Sequence, residues 1–319
     1  MDTQIIERSL KKPLVSVVIA CYMHEKYIVS ALESVKNQSY DRLELIVIDD
    51  ASQDDSFAKI QSICNVAFCD RFERVLISRN SVNRGAHACL NKGIALSSGE
   101  YISFLNSDDM YAADRIAKLV TVALNDGSEF LFTAVCAIGH DGVNRRDHSQ
   151  TYGIIFEPKQ FIECLPCISW ALMHSNVTIS TGNFFISRFI AERVGRFKNL
   201  KYCHDWDFAV RASFFTEPKF LDENLYFYRV HDSNSFLSLG NLAGAETRIV
   251  LTDHLIRTKI EKPINLLCAS RQNWPTTFES WAYKTQLRDL IKEEYEPYEN
   301  YHRTVTEGAY APSAHRRGG

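Results

Sequence analysis

The sequence predicts an α/β fold in which a mostly parallel central sheet is flanked by helices and followed by a helical C-terminal extension. Two hydrophobic periods alternate along the first third of the chain. Short runs of branched apolar residues indicate strands that are covered on both faces. Between them, apolar residues at i, i+3, i+4 and i+7 indicate one face of a helix. Strands that alternate with helices favour parallel pairing, because each connecting helix then packs on the sheet.

The regular alternation extends through this first third and predicts four strands and three helices. The strands are short and rich in Val, Ile and Leu. The predicted strands are residues 14–20, 43–48, 74–78 and 101–105, and the predicted helices are residues 28–35, 52–63 and 84–96.

The pattern is less regular beyond residue 130. The predicted elements are strands at 130–138, 184–187 and 225–229, a polar hairpin-like stretch at 139–152, and helices at 205–215 and 281–295. Ala245, Ile249 and Ile256 lie near one face of a further predicted helix, and the tail 311–319 is expected to fray.

Charge and hydropathy exclude several classes of protein. With 36 basic and 39 acidic residues the net charge is −3, so no overall basic field attracts nucleic acid. The longest nearly apolar stretch, residues 130–138, is far shorter than the roughly 20 residues of a membrane-spanning helix. The N-terminal segment MDTQIIERSLKKP lacks the apolar core of a signal peptide. We therefore expect a cytoplasmic protein.

The nine cysteines agree with a reducing compartment. They are scattered and odd in number, which favours buried free thiols over a disulfide framework. Cys164 and Cys167 have the spacing of a redox or zinc motif, but no second such pair exists in the sequence. We interpret them as two partly buried thiols at a turn.

Acidic pairs follow two of the predicted strands. Asp49 and Asp50 end the second strand, and Asp108 and Asp109 follow the fourth. Ligands of a parallel α/β sheet bind at the carboxyl ends of its strands. Adjacent carboxylates repel each other, and Mg²⁺ or Mn²⁺ with bound phosphates relieves that repulsion. Alone, the first pair could equally be a solvated turn or a helix N-cap.

Other nucleotide-binding motifs are missing from the sequence. No G-x-G-x-x-G follows the first strand, which disfavours a dinucleotide oxidoreductase, and no G-x-x-x-x-G-K-[ST] is present, which disfavours a P-loop NTPase. The first strand does not end in Asp, so phosphorylation of a first-strand aspartate is also disfavoured. The residues indicate phosphate chemistry that depends on a metal.

Taken in order, the motifs resemble those of family 2 glycosyltransferases with the Rossmann-like GT-A fold, over about residues 13–235. The segments that carry the resemblance are PLVSVVIACY (13–22), LIVIDDAS (45–52), NRGA (83–86), GEYISFLNSDD (99–109) and HDWDF (204–208). The resemblance implies a lead-in (1–12), a nucleotide-binding half (13–110), an acceptor and catalytic-base half (111–240), and a helical extension with a flexible tail (241–319).

The resemblance implies a nucleotide site at the first strand ends. Ala20 and Tyr22 would contact the base and ribose, and Asp50 would accept a hydrogen bond from the N3–H of uracil or thymine. Arg84 lies where some members contact the base or the diphosphate. Asp108 would hold the ribose or the water shell of a metal.

The resemblance also implies a metal and a general base. Asp109 would ligate Mn²⁺ or Mg²⁺ between the two phosphates, where the cation stabilises the departing nucleoside diphosphate. His231 would approach the metal or diphosphate, although it could instead be a hydrogen-bonded surface residue. Asp205 aligns with the aspartate that takes the proton from the acceptor hydroxyl; its alternative role is a helix N-cap.

Several further residues are candidates for the acceptor or sugar site. His204 stands where the family often has Glu, Asp207 could be a structural residue at a helix start, and Arg229 could steady phosphate charge. The candidates are Gly182, Asn183, His204, Asp207 and Arg229.

The resemblance thus implies inverting hexosyl or N-acetylhexosaminyl transfer from a nucleoside-diphosphate sugar, with UDP-sugar preferred, to a glycan or glycolipid hydroxyl in surface polysaccharide or glycoconjugate synthesis. A non-catalytic nucleotide-sugar-binding module is one alternative. A sugar nucleotidyltransferase is another, although residues 21–25 lack the glycine- and basic-rich loop that it needs. Residues 241–295 could contact a partner, a second copy or the inner face of a membrane, or simply pack on the sheet.

Overall fold

One mixed sheet organises the chain, whose computed structural model describes residues 12–143, 158–232, 234 and 239–284. Within these residues the strands are β1 (Val15–Cys21), β2 (Leu43–Asp49), β3 (Arg74–Arg79), β4 (Tyr101–Asn106), β5 (Met110–Tyr111), β6 (Phe130–Ile138), β7 (Phe185–Ser187) and β8 (Lys219–Arg229). The helices are α1 (Ile28–Lys36), α2 (Ser56–Ile63), α3 (Val66–Cys69), α4 (Ala86–Leu96), α5 (Arg115–Asp126), α6 (Pro158–Glu163), α7 (Ile168–Leu172), α8 (Arg188–Val194), α9 (His204–Ala212), α10 (Ala243–Ile260) and α11 (Pro275–Lys284).

The strand order is β3-β2-β1-β4-β7-β6-β8-β5. The four strands of the first half are parallel, β7 is antiparallel to both β4 and β6, and β8 runs parallel to β6 and antiparallel to β5. The prediction of an α/β fold with a mostly parallel sheet and flanking helices is confirmed. Ala20 pairs with Asn106 and Cys21 with Asp49, so the carboxyl ends of three strands lie at one edge.

Two hydrophobic clusters cover the two faces of this sheet. Val17 and Ile19 of β1 point into the cluster that contains α1 and α5, whereas Val18 points into the cluster that contains α4 and α9. β2 is buried along its whole length, as a strand covered on both faces must be.

The C-terminal helices are part of the second cluster. Ile249 of α10 is buried there, and the rings of Phe278 and Trp281 in α11 lie 6.5 and 6.2 Å from that of Trp170. The predicted division at residue 240 stays a prediction, and so does an external contact through residues 241–295. No helix in the described ranges is both long and apolar enough to cross a bilayer.

Some element predictions differ from the structure. α10 buries the predicted face only in part: Ile249 is buried and Ile256 half-buried, but Ala245 is exposed. The carboxylates of Glu246 and Asp253 are buried as well. β8 begins at Lys219, well before the predicted strand at 225–229, in a polar stretch without the apolar signal. The predictions for 144–152, for 285–295 and for the tail 311–319 concern segments outside the described residues.

The contact between α4 and β1 predicts opposite effects of one substitution at two helical glycines. A Cβ at Gly93 would lie 2.2 Å from Val18 Cγ1, whereas a Cβ at Gly244 in α10 would meet no heavy atom within 4 Å. We expect Gly93→Ala to lower the free energy of unfolding by about 1–3 kcal/mol through overpacking, and Gly244→Ala to raise it by up to about 1 kcal/mol. Urea unfolding measures both, and a Gly93→Ala protein as stable as wild type would contradict the close packing.

Candidate active site

A cavity of about 1020 Å³ opens at the carboxyl edge of β1, β2 and β4. It gathers residues that are far apart in the sequence. Of the predicted site residues, its lining contains Ala20, Tyr22, Asp50, Asp108, His204 and Asp205. Their individual roles stay predictions, but the convergence of three carboxylates on one cavity is a property of the fold.

Asp50 follows β2 and is buried beside the residues that precede α4. Its carboxylate accepts hydrogen bonds from the backbone N–H of Arg84 at 2.9 and 3.0 Å, from that of Gly85 at 2.8 Å, and from Asn80 Nδ2 at 2.8 Å. Each carboxylate oxygen thus has two hydrogen-bond contacts, which fix the orientation of the Asp50 side chain at the cavity wall. The Arg84 side chain is exposed, and its backbone, rather than its guanidinium, reaches the site. Asp49 does not cap α2; it accepts from Ser52 N at 3.1 Å.

Asp108 lies between two histidines on the cavity wall. His231 Nε2 is 3.0 Å and His24 Nε2 is 3.8 Å from Asp108 Oδ2. Burial alone would raise the pKa of Asp108, but the two imidazoles outweigh it and hold that pKa below its usual range. His24 Nδ1 lies 2.7 Å from Ser107 Oγ, and this contact leaves Nε2 directed at Asp108.

The three side chains form a candidate metal centre. One ligand atom from each of His24, Asp108 and His231 lies within 4.8 Å of the others, which is the separation that atoms around one cation need. The sequence analysis missed His24. Its signal was available, since it follows the first strand at the same edge as the acidic pairs.

Asp109 faces away from the cavity toward β8. It accepts hydrogen bonds from the Tyr226 hydroxyl, from Arg229 N at 2.7 Å and from Asn106 Nδ2 at 3.0 Å. Burial and the neighbouring Asp108 raise the pKa of Asp109 well above its usual value. The predicted metal role of Asp109 stays a prediction, but the geometry favours Asp108 as the ligand because only Asp108 reaches the cavity.

Four other candidates lie behind the cavity wall. Arg229 is buried, and its guanidinium donates to the carbonyl oxygens of Asp108 at 2.7 Å and Gly139 at 2.7 Å. Asn183 contacts Arg115, and Gly182 packs against Tyr226 and the backbone of Asn106. Asp207 is paired with Arg211 and Lys198. These contacts hold the site together, and the ligand-binding roles of the four residues stay predictions.

Asp205 lies in the first turn of α9 and is 8% exposed. Burial raises the pKa of Asp205, although the charge of His204 and the hydrogen bonds from the Trp206 N–H and the Asn176 amide act in the opposite direction. Asn176 Nδ2 donates to Asp205 Oδ2 at 2.9 Å, and the Thr178 hydroxyl donates to Asn176 Oδ1 at 2.5 Å. Because Thr178 binds the oxygen of the Asn176 amide, the nitrogen of that amide faces the Asp205 carboxylate. Asn176 was missed in the sequence, where a single Asn carries no signal.

Backbone strain is concentrated around this cavity. Among the described residues, the non-glycine residues with left-handed φ angles are Met23 (57°), Ala51 (61°) and Ile179 (70°). Met23 and Ile179 line the cavity, and Ala51 follows Asp50. For a β-branched residue such as Ile179 this conformation is unusual, and such strain is typical of functional sites. The strained turn at Ile179 ends the loop that carries Asn176.

Comparisons with known proteins agree with this architecture. A family model described as glycosyl transferase family 2 matches residues 16–195. An uncharacterized glycosyltransferase of Rickettsia typhi is 28% identical over 231 residues, 72% of this chain and 68% of the relative. The putative teichuronic acid biosynthesis glycosyltransferase TuaG of Bacillus subtilis is 31% identical over 131 residues, 41% of this chain and 50% of TuaG.

Solved structures share the fold. The crystal structure of S. aureus TarS in complex with UDP-GlcNAc has a TM-score of 0.63 and 16% identity, covering 85% of this chain and 73% of that one. In a second S. aureus TarS structure, the present chain matches only 43% of the length of the TarS chain. The mannosyltransferase PcManGT from Pyrobaculum calidifontis, in complex with GDP-Man and Mn²⁺, has a TM-score of 0.55 and 17% identity. The match covers 95% of this chain and 82% of PcManGT.

The fold and the family match define an enzyme of the glycosyltransferase class, built on the GT-A fold. Because the family model covers more than half of the sequence, the chain belongs to glycosyltransferase family 2.

The Asn176 contact predicts a change in the pH profile. Its hydrogen bond stabilises the ionised form of Asp205, so Asn176→Ala should raise the pKa of Asp205 further. If Asp205 acts as a base, activity is lost as the pH falls through that pKa, and the acidic limb of kcat/KM should move up by about one pH unit. Ser175→Ala, in the same loop, is the control and should leave the limb in place. An unchanged limb in Asn176→Ala would show that this amide does not tune the base.

Proposed function

We propose that this chain is an inverting glycosyltransferase that transfers a sugar from a nucleoside-diphosphate sugar, preferably a UDP-sugar, to a hydroxyl of a glycan or glycolipid acceptor. The observation that carries the proposal is the convergence of Asp50, Asp108 and Asp205 on one cavity in a family 2 chain. The UDP-GlcNAc of TarS supports a uridine donor. The teichuronic acid named for TuaG supports a role in surface polysaccharide or glycoconjugate synthesis.

Asp50 would recognise the base. Asp50 lines the cavity together with Ala20 and Tyr22, and a carboxylate oxygen is a strong acceptor for the N3–H of uracil. The three donors already bound to Asp50 fix its orientation. Discrimination against cytosine follows, because cytosine presents no N3–H.

His24, Asp108 and His231 would hold a divalent cation. The donor set fits, since it offers one carboxylate oxygen and two imidazole nitrogens in close proximity. Imidazole is a poor ligand for Mg²⁺, so we propose Mn²⁺ as the preferred ion. When bound, the cation would neutralise the charge that develops on the departing diphosphate.

Asp205 would act as the general base. It would accept the proton of the acceptor hydroxyl while that oxygen bonds to the anomeric carbon. The bond from the anomeric carbon to the phosphate oxygen breaks at the opposite face, and the nucleoside diphosphate leaves with the electron pair. This displacement inverts the configuration. The raised pKa of Asp205 makes it a better proton acceptor than an exposed aspartate.

The proposal is tested by product release with Asp205→Asn as the matched variant. We expect the wild-type protein with Mn²⁺ to release UDP from a UDP-sugar faster than it releases TDP or GDP from their sugars. Asp205→Asn should bind UDP within about twofold of wild type while turnover falls by about 10² or more. Binding without turnover in wild type would indicate a binding module, and release of pyrophosphate from a nucleoside triphosphate would indicate a nucleotidyltransferase.

The metal assignment predicts different effects at the two adjacent aspartates. Asp108→Asn removes a ligand, so the Mn²⁺ concentration for half-maximal activity should rise by about tenfold or more. Asp109→Asn should lower the unfolding temperature, because the amide keeps only one of the two oxygens that accept from Tyr226 and Arg229, while the Mn²⁺ requirement stays unchanged. Titration of Mn²⁺ into both variants measures this, and the reverse pattern would place the metal at Asp109.

A further inference from the structure

Glu246 binds the backbone that leads into the helix carrying Asp205. It lies in the first turn of α10 and is only 2% exposed. Its carboxylate accepts three successive backbone N–H groups, from Lys201 at 2.9 Å, Tyr202 at 2.8 Å and Cys203 at 2.8 Å. The donors and the carboxylate are far apart in the sequence, so this contact exists only because α10 packs against α9.

The three N–H groups form a concave anion site directly before α9. Successive N–H groups that point inward attract negative charge, and the start of a helix adds the positive end of its dipole. Unpaired, they would carry a desolvation cost. Glu246 satisfies all three, and in return they stabilise a buried carboxylate that would otherwise be unfavourable.

The fixed backbone belongs to the cavity wall. Lys201, Tyr202 and Cys203 all line the cavity, and Asp205 follows shortly after them. α9 itself begins at His204. A shift of residues 201–203 would therefore rotate the first turn of α9 and move the Asp205 carboxylate away from its position beside Asn176.

A second contact fixes the same two helices further along. Lys198 Nζ pairs with Asp207 of α9 at 2.8 Å and also with Asp253 of α10. Asp253 lies at position i+7 from Glu246, so both are on the same face of α10. Two buried carboxylates of the helical extension thus hold the residues on either side of Asp205.

We propose that Glu246 is a positioning residue for Asp205, so that the helical extension is part of the catalytic apparatus. The inference rests on the proposed function, in which Asp205 is the general base. Glu246 does not touch the cavity. It acts by setting the conformation of residues 201–203, which sets the direction of the Asp205 carboxylate.

The test is a double-mutant cycle with Glu246→Gln and Asp205→Asn. The amide keeps the size of the side chain but turns N–H groups toward the backbone donors. We expect kcat for sugar transfer to fall by about 10- to 100-fold, while the affinity for UDP stays within about twofold. If Glu246 acts through Asp205, Glu246→Gln should cause no further loss in the Asp205→Asn protein. Equal losses in both backgrounds would overturn the inference.

Controls separate positioning from folding. Glu261→Gln removes an exposed carboxylate just after the C-terminal end of α10, and it should leave kcat unchanged. Glu246→Asp keeps the charge and should recover part of the lost rate; it also replaces Glu246→Gln in the cycle if that protein does not fold. A loss of kcat that matches the loss of folded protein would overturn the proposal. Absence of transfer in wild type would instead refute the proposed function.

Discussion

Negative charge buried at one edge of the sheet is the constraint on which the rest of the structure depends. The parallel register of β1, β2 and β4 aligns their carboxyl ends, and acidic residues lie at the ends of β2 and β4. Each carboxylate is satisfied by a different kind of partner. Asp50 has backbone N–H groups, Asp108 has imidazoles, Asp109 has a hydroxyl and an N–H from β8, and Asp205 has an amide. These partners determine which loops lie beside the cavity.

The two consecutive aspartates after β4 show how strongly position decides role. Both lie in the turn after β4, in which Asp109 N donates to Asn106 O at 3.1 Å, and only one of the pair faces the cavity. Asp108 does, and Asp109 joins β4 to β8 through Tyr226 and Arg229. Arg229 also donates to the Asp108 carbonyl, so β8 fixes both residues from behind. The antiparallel half of the fold thus supports Asp108 from behind and supplies His231 to the candidate metal centre.

Local pattern predicted the first half of the fold well, because each of its strands contains a run of apolar residues and the helices between them have apolar faces. The same signal was incomplete for α10, where Ile249 is buried as predicted but Glu246 and Asp253 are buried too, by partners in the distant segment 198–203. Asn176 escaped for a related reason, since its contact with Asp205 depends on tertiary packing. Motif resemblance located the acidic residues, but it could not show which of two adjacent side chains faces the cavity.

The directions of the pKa shifts separate the three buried acids by what they can do. A metal ligand must be ionised, and the two histidines hold the pKa of Asp108 low. A general base must be ionised yet able to take a proton, and the raised pKa of Asp205 at the cavity wall fits that requirement. The pKa of Asp109 is raised further, but no acceptor hydroxyl can reach it behind the wall. Under the proposed function, these opposed environments would let one site hold both a metal ligand and a base.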